Sequence, residues 1–98
     1  MIGVLIEHRT RAGCRDRVQV LWDQMLRPII EANDSHEGYA YMFDADDPDV
    51  IRAFQQYTDS ESATAFLKTP GYQAYAAAVD HLLVSTTVTR TKVIWAKS

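Results

Sequence analysis

The order of the apolar segments constrains the fold of this chain more than any single residue does. The 98 residues contain a short strand-like segment, a long helical segment, two short strands, a second helical segment and a last strand. This β-α-β-β-α-β order predicts a ferredoxin-like α+β domain, in which helices cover one face of a four-stranded antiparallel sheet. Strands that are apolar on both faces would then need a ligand or a second copy of the chain on the uncovered side.

Alternating side chains predict the strands and their faces. We expect four strands, at Ile2–His8, Tyr39–Asp44, Val50–Tyr57 and Thr86–Ala96. In the first strand the period of two places Ile6 and His8 on one face and Leu5 on the other. The second strand carries Tyr39, Tyr41 and Phe43 on one face and Ala40 and Met42 on the other, so neither face is polar.

Helical spacing of apolar residues predicts the two helical segments. The first is expected over Cys14–Ala32, with a bend at Pro28 because proline lacks the amide hydrogen that a helix interior needs. The second segment begins at Asp59 or Ser60 and runs to Leu67. Thr69-Pro70 reads as a new helix start, with Thr as N-cap, and the apolar pattern continues to Leu83.

Composition limits the class of protein. With 47% hydrophobic and 23% charged residues the chain is expected to form one globular domain over residues 1–98. A formal net charge of −3 argues against nucleic acid or an anionic membrane as partner, because both attract concentrated Lys and Arg. The single Cys14 permits no internal disulfide, and no signal peptide or membrane span is apparent, so a cytoplasmic location is expected.

Metal and cofactor sites are not expected. The three histidines (His8, His36 and His81) are far apart in the sequence and form no paired ligand motif. The acidic run Asp44–Asp49 lacks the glycine and the terminal Glu of a calcium loop, and no glycine-rich phosphate loop is present. The sequence therefore predicts no metal and no cofactor.

An aromatic pocket between helices and sheet is the strongest candidate for a site. Four aromatic residues on the helices are predicted to enclose a planar, apolar ligand: Trp22, Phe66, Tyr72 and Tyr75. The alternative is that this aromatic stripe is ordinary core. His8 closes an apolar face, either as a proton acceptor at the pocket mouth or as an imidazole at the edge of the core. His36, in a polar loop, and His81, on a helix surface, are expected to be solvated.

Four segments, in order and spacing, resemble the antibiotic biosynthesis monooxygenase (ABM) family of dimeric α+β barrels: Glu37-Gly38-Tyr39, Asp46-Asp47-Pro48, Tyr57–Ala63 and Thr69–Tyr75. The resemblance implies a homodimer whose two sheets pack face to face, with a small pocket between each sheet and its helices. It also implies one of several activities. Some members oxidise quinol-like or polycyclic phenols with O₂ and without metal or flavin, others bind and degrade haem, and several are known only as small binding proteins.

Three departures from the family pattern bear on function. The Glu-x-Trp segment that usually ends the third strand reads Gln55-Gln56-Tyr57, Phe66 stands where a His is common, and His8 occupies the position of the Asn of haem-degrading members. Haem handling is therefore the least favoured branch. The function expected is cofactor-independent oxygenation of a small aromatic, quinol or polycyclic phenol, with His8 as base and Tyr57 or Gln55 orienting the substrate oxygen. The alternative is a non-catalytic dimeric barrel that binds a hydrophobic small molecule.

Overall fold

The structure, a computed structural model, describes residues 1–97. Its elements follow the predicted order, with four strands and helices on one face of the sheet. In chain order they are β1 (Ile2–Thr10), α1 (Arg15–Leu21), a π-helical turn (Trp22–Leu26), α2 (Arg27–Ala32), β2 (His36–Phe43), β3 (Val50–Tyr57), α3 (Ser60–Leu67), α4 (Pro70–Val79), a 3₁₀ turn (Asp80–Leu82) and β4 (Leu83–Lys92). The ferredoxin-like prediction is confirmed.

All strand pairs are antiparallel, and the strand order is β2-β3-β1-β4. β1 therefore lies inside the sheet, between β3 and β4. Its register places His8 opposite Ile51 on one side and Thr86 on the other, whereas Val4 lies opposite Gln55. Residues directly opposite one another share a face, so this register decides which side chains can meet in a site.

The first helical segment departs from the prediction. A π-helical turn at Trp22–Leu26 interrupts it one turn before Pro28, and the Arg27 amide donates to the Trp22 carbonyl in the i→i−5 pattern. Pro28 cannot donate to the carbonyl four residues earlier, so the chain widens ahead of the ring and starts a new helix with Pro28 in its first turn. The predicted bend thus takes the form of a π-bulge that positions Trp22.

The second helical region follows the predicted caps. Asp59 accepts a hydrogen bond from the Ser62 amide at 2.7 Å, and Thr69 Oγ1 accepts one from the Tyr72 amide at 3.3 Å. Pro70 occupies the first turn of α4, as expected from the Thr-Pro pair. The helix ends at Val79, earlier than predicted, and a 3₁₀ turn then leads into β4.

Three of the four predicted strands have different bounds in the structure. β1 continues to Thr10, whose amide donates to the Asp49 carbonyl at 2.8 Å. β2 begins at His36 instead of Tyr39, because an irregularity in the ladder between His36 and Gly38 lets the preceding residues pair with β3. β4 covers Leu83–Lys92 and stops short of Ala96, since its neighbour β1 begins at Ile2, opposite Lys92.

The core lies between the helices and one face of the sheet. Its most enclosed side chains come from both layers: Val18, Ile51, Tyr57, Ala63 and Val79. The opposite face is open, with Leu5 45% and Met42 42% exposed beside the Arg52 ion pairs to Glu7 and Asp44. No helix within residues 1–97 is long and apolar enough to cross a membrane.

Candidate functional site

A cavity of about 190 Å³ lies between the helices and the covered face of the sheet. The sheet supplies its floor from all four strands: Ile6, His8, Tyr39, Tyr41, Ile51, Ala53, Gln55, Leu83 and Thr86. The helical side supplies Trp22, Leu26, Tyr72, Tyr75, Ala76, Val79 and Asp80. Ala53 is the smallest residue of the floor and lies opposite Ile6 and Tyr41 in the ladder, so the middle of the floor is left open.

Stacked aromatic rings form one wall. The Trp22 indole stacks on Tyr41, with 4.2 Å between ring centroids and 28° between planes. Its Nε1 donates a hydrogen bond to Tyr39 Oη at 3.2 Å. Trp22, the first residue of the π-helical turn, is therefore held against β2 by both a stack and a hydrogen bond. A rigid planar wall of this kind suits a planar aromatic ligand.

The tyrosine hydroxyls of the cavity stay protonated at neutral pH. Burial raises the pKa of Tyr39 to about 12, and burial also raises the pKa values of Tyr41, Tyr72 and Tyr75. Tyr41 Oη differs from the others, because it is enclosed and has no hydrogen-bond partner within residues 1–97. An unpaired hydroxyl in an enclosed place can accept from or donate to a ligand.

His8 is the one imidazole among the residues that line the cavity. Its Nδ1 lies 2.7 Å from Thr86 Oγ1, across the β1–β4 pair. Burial lowers the pKa of His8, so the ring is neutral at pH 7. If Nδ1–H donates to Thr86, the Nε2 lone pair is free to accept a proton.

Gln55 joins a hydrogen-bonded chain at another part of the floor. Its Oε1 lies 2.5 Å from Tyr57 Oη and 3.1 Å from His36 Nε2. The other imidazole nitrogen, His36 Nδ1, lies 2.8 Å from Asn33 Nδ2. Four polar side chains from β2, β3 and the α2–β2 loop are thus linked beside the cavity.

The prediction that His36 is solvated was wrong. Its ring is half-buried, with its centroid 4.2 Å from that of Tyr57 and 4.5 Å from that of Phe66, which it meets edge to face. Burial lowers the pKa of His36. The error arose because His36 was assigned to a loop before a strand that starts at Tyr39. The irregular pairing between His36 and Gly38 instead adds His36 to β2, opposite Tyr57, and turns its side chain to the helix side.

The predicted site residues divide into two groups. Five line the cavity: His8, Trp22, Gln55, Tyr72 and Tyr75. The other two, Tyr57 and Phe66, are buried behind that lining; Tyr57 donates to Gln55, and the Phe66 ring lies 5.8 Å from that of Tyr72. The assignment of catalytic and binding roles to these seven residues stays a prediction.

Sequence reasoning missed other members of the lining. Tyr39 and Tyr41 were placed on one face of their strand, but only the structure shows that this is the helix-covered face. Thr86 was missed because its role depends on the β1–β4 register, for which the sequence carries no local signal. The alternation of Tyr39 and Tyr41 was the one signal that could have found the aromatic floor.

His8 and Gln55 mark different ends of the floor. The register separates them by four residues along the paired strands and by one strand across the sheet. At about 3.4 Å per residue and about 4.8 Å per strand, their Cα atoms are about 14 Å apart. A ligand that contacts both side chains must therefore do so with opposite ends of the ligand molecule.

The donor set offers no grouping for a metal ion. Within residues 1–97, no three His, Cys, Asp or Glu side chains lie close enough to share one. The polar groups of the cavity are instead one imidazole, one amide, hydroxyls and the exposed Asp80. These groups can bind oxygen substituents of an organic ligand and move a proton.

Comparison with known proteins identifies the family of this chain. Residues 1–78 match the family model of antibiotic biosynthesis monooxygenases, and the chain belongs to this family. No curated protein matches the chain.

Solved structures share the fold at low sequence identity. Rv0793 of Mycobacterium tuberculosis is 24% identical, with a TM-score of 0.85 and coverage of 99% of this chain and 98% of that one. A Chloroflexus aurantiacus protein provisionally assigned to the antibiotic biosynthesis monooxygenases is 20% identical, with a TM-score of 0.84 and coverage of 99% and 96%. A Nitrosomonas europaea protein of unknown function is 16% identical, with a TM-score of 0.84 and coverage of 99% and 92%. These similarities support the fold and leave substrate and activity open to proposal.

Proposed function

We propose that this protein is a cofactor-independent monooxygenase that oxidises a small phenol or quinol with O₂, and that His8 is its base. The observation that carries the proposal is the neutral imidazole of His8 in a cavity walled by aromatic rings. The family assignment supports oxygenation as the reaction class.

The reaction needs no external electron donor, because the substrate supplies all four electrons. His8 Nε2 removes the phenolic proton, and an electron-rich ring carbon that carries hydrogen, para to the oxygen in a phenol and ortho to it in a quinol, forms a bond to O₂. Loss of the hydrogen from that carbon breaks the O–O bond, leaving one oxygen as the new carbonyl and releasing the other as water. For a phenol with a free para position the balance is phenol + O₂ → quinone + H₂O.

The lowered pKa of His8 restricts the substrate. An imidazole with a pKa below 6.5 is a weaker base than free histidine, so it suits hydroxyls that are already acidic. Naphthols, and more strongly phenols conjugated to a carbonyl group, are more acidic than phenol itself. The Tyr41 hydroxyl, enclosed and without a partner in the described chain, can stabilise negative charge on a reacting oxygen.

The size of the cavity limits the substrate to one or two rings. An apolar protein cavity of about 150 Å³ holds a benzene molecule, whereas sites for drug-sized ligands reach about 300–1,000 Å³. The cavity volume of about 190 Å³ is close to that of the benzene-sized cavity. We therefore expect naphthols or single-ring quinols, and not larger polycyclic phenols.

We also propose that two copies pair through the open face of the sheet. Leu5 and Met42 are more than two-fifths exposed there, and Phe54 lies on the same face. At about 25 cal/mol per Å², burying this apolar face favours association of so small a domain. The dimer would leave each cavity intact, because the cavity lies on the other side of the sheet.

The test is oxygen consumption by metal-stripped protein with 1-naphthol, which has a free para position. The expected result is one 1,4-naphthoquinone formed for each O₂ consumed, without hydrogen peroxide, and rates unaffected by chelator. His8→Ala should abolish turnover, and His81→Ala, which removes an exposed imidazole, is the matched control.

Each other outcome rejects part of the proposal. Hydrogen peroxide in place of water would identify an oxidase. Turnover that survives His8→Ala would remove His8 as base. No uptake across naphthols and quinols, with a melting temperature raised by the same compounds, would establish the alternative, a barrel that binds a hydrophobic small molecule.

A further inference from the structure

We propose that Gln55 is the specificity-determining hydrogen-bond donor of the cavity, fixed by His36 and Tyr57 so that its amide nitrogen meets an acceptor oxygen of the ligand. The proposal rests on the proposed function for the identity of the ligand as an aromatic hydroxy compound. Its geometric part, the orientation of the amide, stands without it.

The contact with Tyr57 identifies the two ends of the Gln55 amide. The atom that contacts Tyr57 Oη does so at 2.5 Å. Hydrogen bonds of the O–H···O type span about 2.5–3.0 Å, whereas N–H···O bonds begin at about 2.7 Å. The atom facing Tyr57 is therefore the oxygen Oε1, and Tyr57 donates to it. Tyr57 is 2% exposed and its pKa is raised by burial, so it remains a donor.

The tautomer of His36 follows from this assignment of the Gln55 amide. Since Oε1 can only accept, His36 Nε2 at 3.1 Å must carry a hydrogen and donate. A neutral imidazole then leaves Nδ1 as acceptor, and it receives a hydrogen bond from Asn33 Nδ2 at 2.8 Å. Every member of the chain has one consistent role, and the whole chain prevents the amide from turning over.

The amide nitrogen of Gln55 is the remaining group of this chain. With Oε1 occupied twice, Nε2 of Gln55 carries two hydrogens and forms no hydrogen bond within residues 1–97. Gln55 is 6% exposed and lines the cavity, so a ligand is the natural partner for this nitrogen. Nε2 is not among the enclosed atoms that lack a partner, so it keeps some accessible surface; a ligand with an acceptor oxygen can hydrogen-bond to it there, whereas an apolar group would desolvate it without replacing that bond. The site thus selects for an acceptor and against an apolar group at this end.

Together with His8, this fixes a class of ligand. His8 accepts a hydrogen bond or proton at one end of the floor and Gln55 donates at the other, and the register of β1 and β3 places their Cα atoms about 14 Å apart. The ligand that satisfies both is an elongated aromatic with a hydroxyl at one end and a carbonyl or ether oxygen at the other. Where that oxygen is a carbonyl conjugated to the ring, the compound also has the acidic hydroxyl that a weak base requires.

The amide orientation can be tested without any ligand. Nitrogen-15 NMR at pH 8 distinguishes the two neutral tautomers of each histidine. The proposal requires His36 to be the Nε2–H tautomer, and exposed His81 provides an unconstrained reference. An Nδ1–H tautomer at His36 would overturn the proposal, because Nε2 would then accept from Gln55 and the carbonyl oxygen would face the cavity.

The ligand preference is tested by anaerobic binding of two naphthols. We use 6-acetyl-2-naphthol, which carries a carbonyl, and 6-isopropyl-2-naphthol, which has a methyl group in place of that oxygen; both are followed by their own fluorescence. The wild type should bind the acetyl compound about fivefold more tightly, the value of one added hydrogen bond. Equal affinities, or no binding of either compound, overturn the ligand class. Since no oxygen is present, a failure of the oxygenase proposal does not affect this result.

Substitutions at Gln55 and His36 distinguish the donating amide from the residue that orients it. Gln55→Glu keeps an acceptor for Tyr57 and His36 and replaces the NH₂ group with a carboxylate oxygen, which in its ionised form cannot donate, so at pH 8 the preference should vanish or reverse. His36→Phe keeps the aromatic packing and frees the amide, so the preference should fall while affinity for the isopropyl compound is retained. His36→Gln has a side-chain amide that can again donate to Gln55 Oε1, so this variant should restore part of the preference for the acetyl compound. An unchanged preference in Gln55→Glu refutes the proposal.

Discussion

The sign of two Tyr→Phe substitutions provides a direct test of the cavity as described. Tyr41 and Tyr57 both face the helix side of the sheet, but Tyr41 Oη is enclosed without a partner in the described chain, whereas Tyr57 Oη donates to Gln55 at 2.5 Å. Removing an enclosed, unpaired hydroxyl stabilises a protein, and removing a paired one destabilises it. We therefore expect Tyr41→Phe to be more stable than the wild type and Tyr57→Phe to be less stable.

The magnitudes follow from the two environments. An enclosed donor or acceptor without a partner costs about 1–3 kcal/mol, and the void left by one oxygen returns part of that, so Tyr41→Phe should gain about 1 kcal/mol. Tyr57→Phe loses a hydrogen bond of about 1 kcal/mol and leaves Gln55 Oε1 with His36 as its remaining donor. In a domain of this size each 1 kcal/mol moves the melting temperature by about 4–8 °C.

Urea denaturation of unliganded protein is the assay, at one protein concentration because association also shifts apparent stability. With an m-value of about 1 kcal/mol per M, the midpoints of the two variants should differ by about 2 M. Equal destabilisation in both variants would refute the reasoning, since it would mean that the Tyr41 hydroxyl has a bonded partner in solution.

Three further predictions test the open face, the buried histidines and a helix cap. Leu5→Lys should give monomer or aggregate by light scattering, whereas Val20→Lys, at an equally exposed apolar site on α1, should keep the mass of the wild type; an unchanged mass in Leu5→Lys would remove the proposed interface. The folded-state pKa values of His8 and His36 lie below 6.5, so the unfolded chain binds more protons than the folded chain below that pH. The free energy of unfolding should therefore decrease as pH falls from 6.5, and the double variant His8→Gln/His36→Gln should show a flatter pH profile. Thr69→Ala should lower the unfolding free energy by about 1 kcal/mol through loss of the α4 cap, while Thr69→Ser retains it.

The fold could be predicted from sequence because its signals are local. Alternation in Val50–Tyr57 and the caps at Asp59 and Thr69 act within a few residues, and all three appear in the structure as expected. The errors at the strand ends arise where pairing partners decide the boundary. β4 ends at Lys92 because its neighbour begins at Ile2, a fact about another part of the chain.

The residues of the candidate site could be predicted only in part from local sequence patterns. Helical spacing identified Trp22, Tyr72 and Tyr75 as one aromatic set, and the structure places all three on the cavity. Spacing alone did not distinguish lining from core, so Phe66 was included although it lies behind the lining. That distinction depends on the relative depth of side chains in a packed interior, which requires the positions of sheet and helices together.

Sequence by itself therefore determined the order of the elements, the faces of the regular strands and the aromatic character of the interior, since these depend on residues a few positions apart. Tertiary structure decided the chemistry of the site. The bulge before Gly38 turns His36 inward, and strand register brings His8 to Thr86 and separates it from Gln55. Hydrogen bonds between such residues depend on distances that only the folded chain sets.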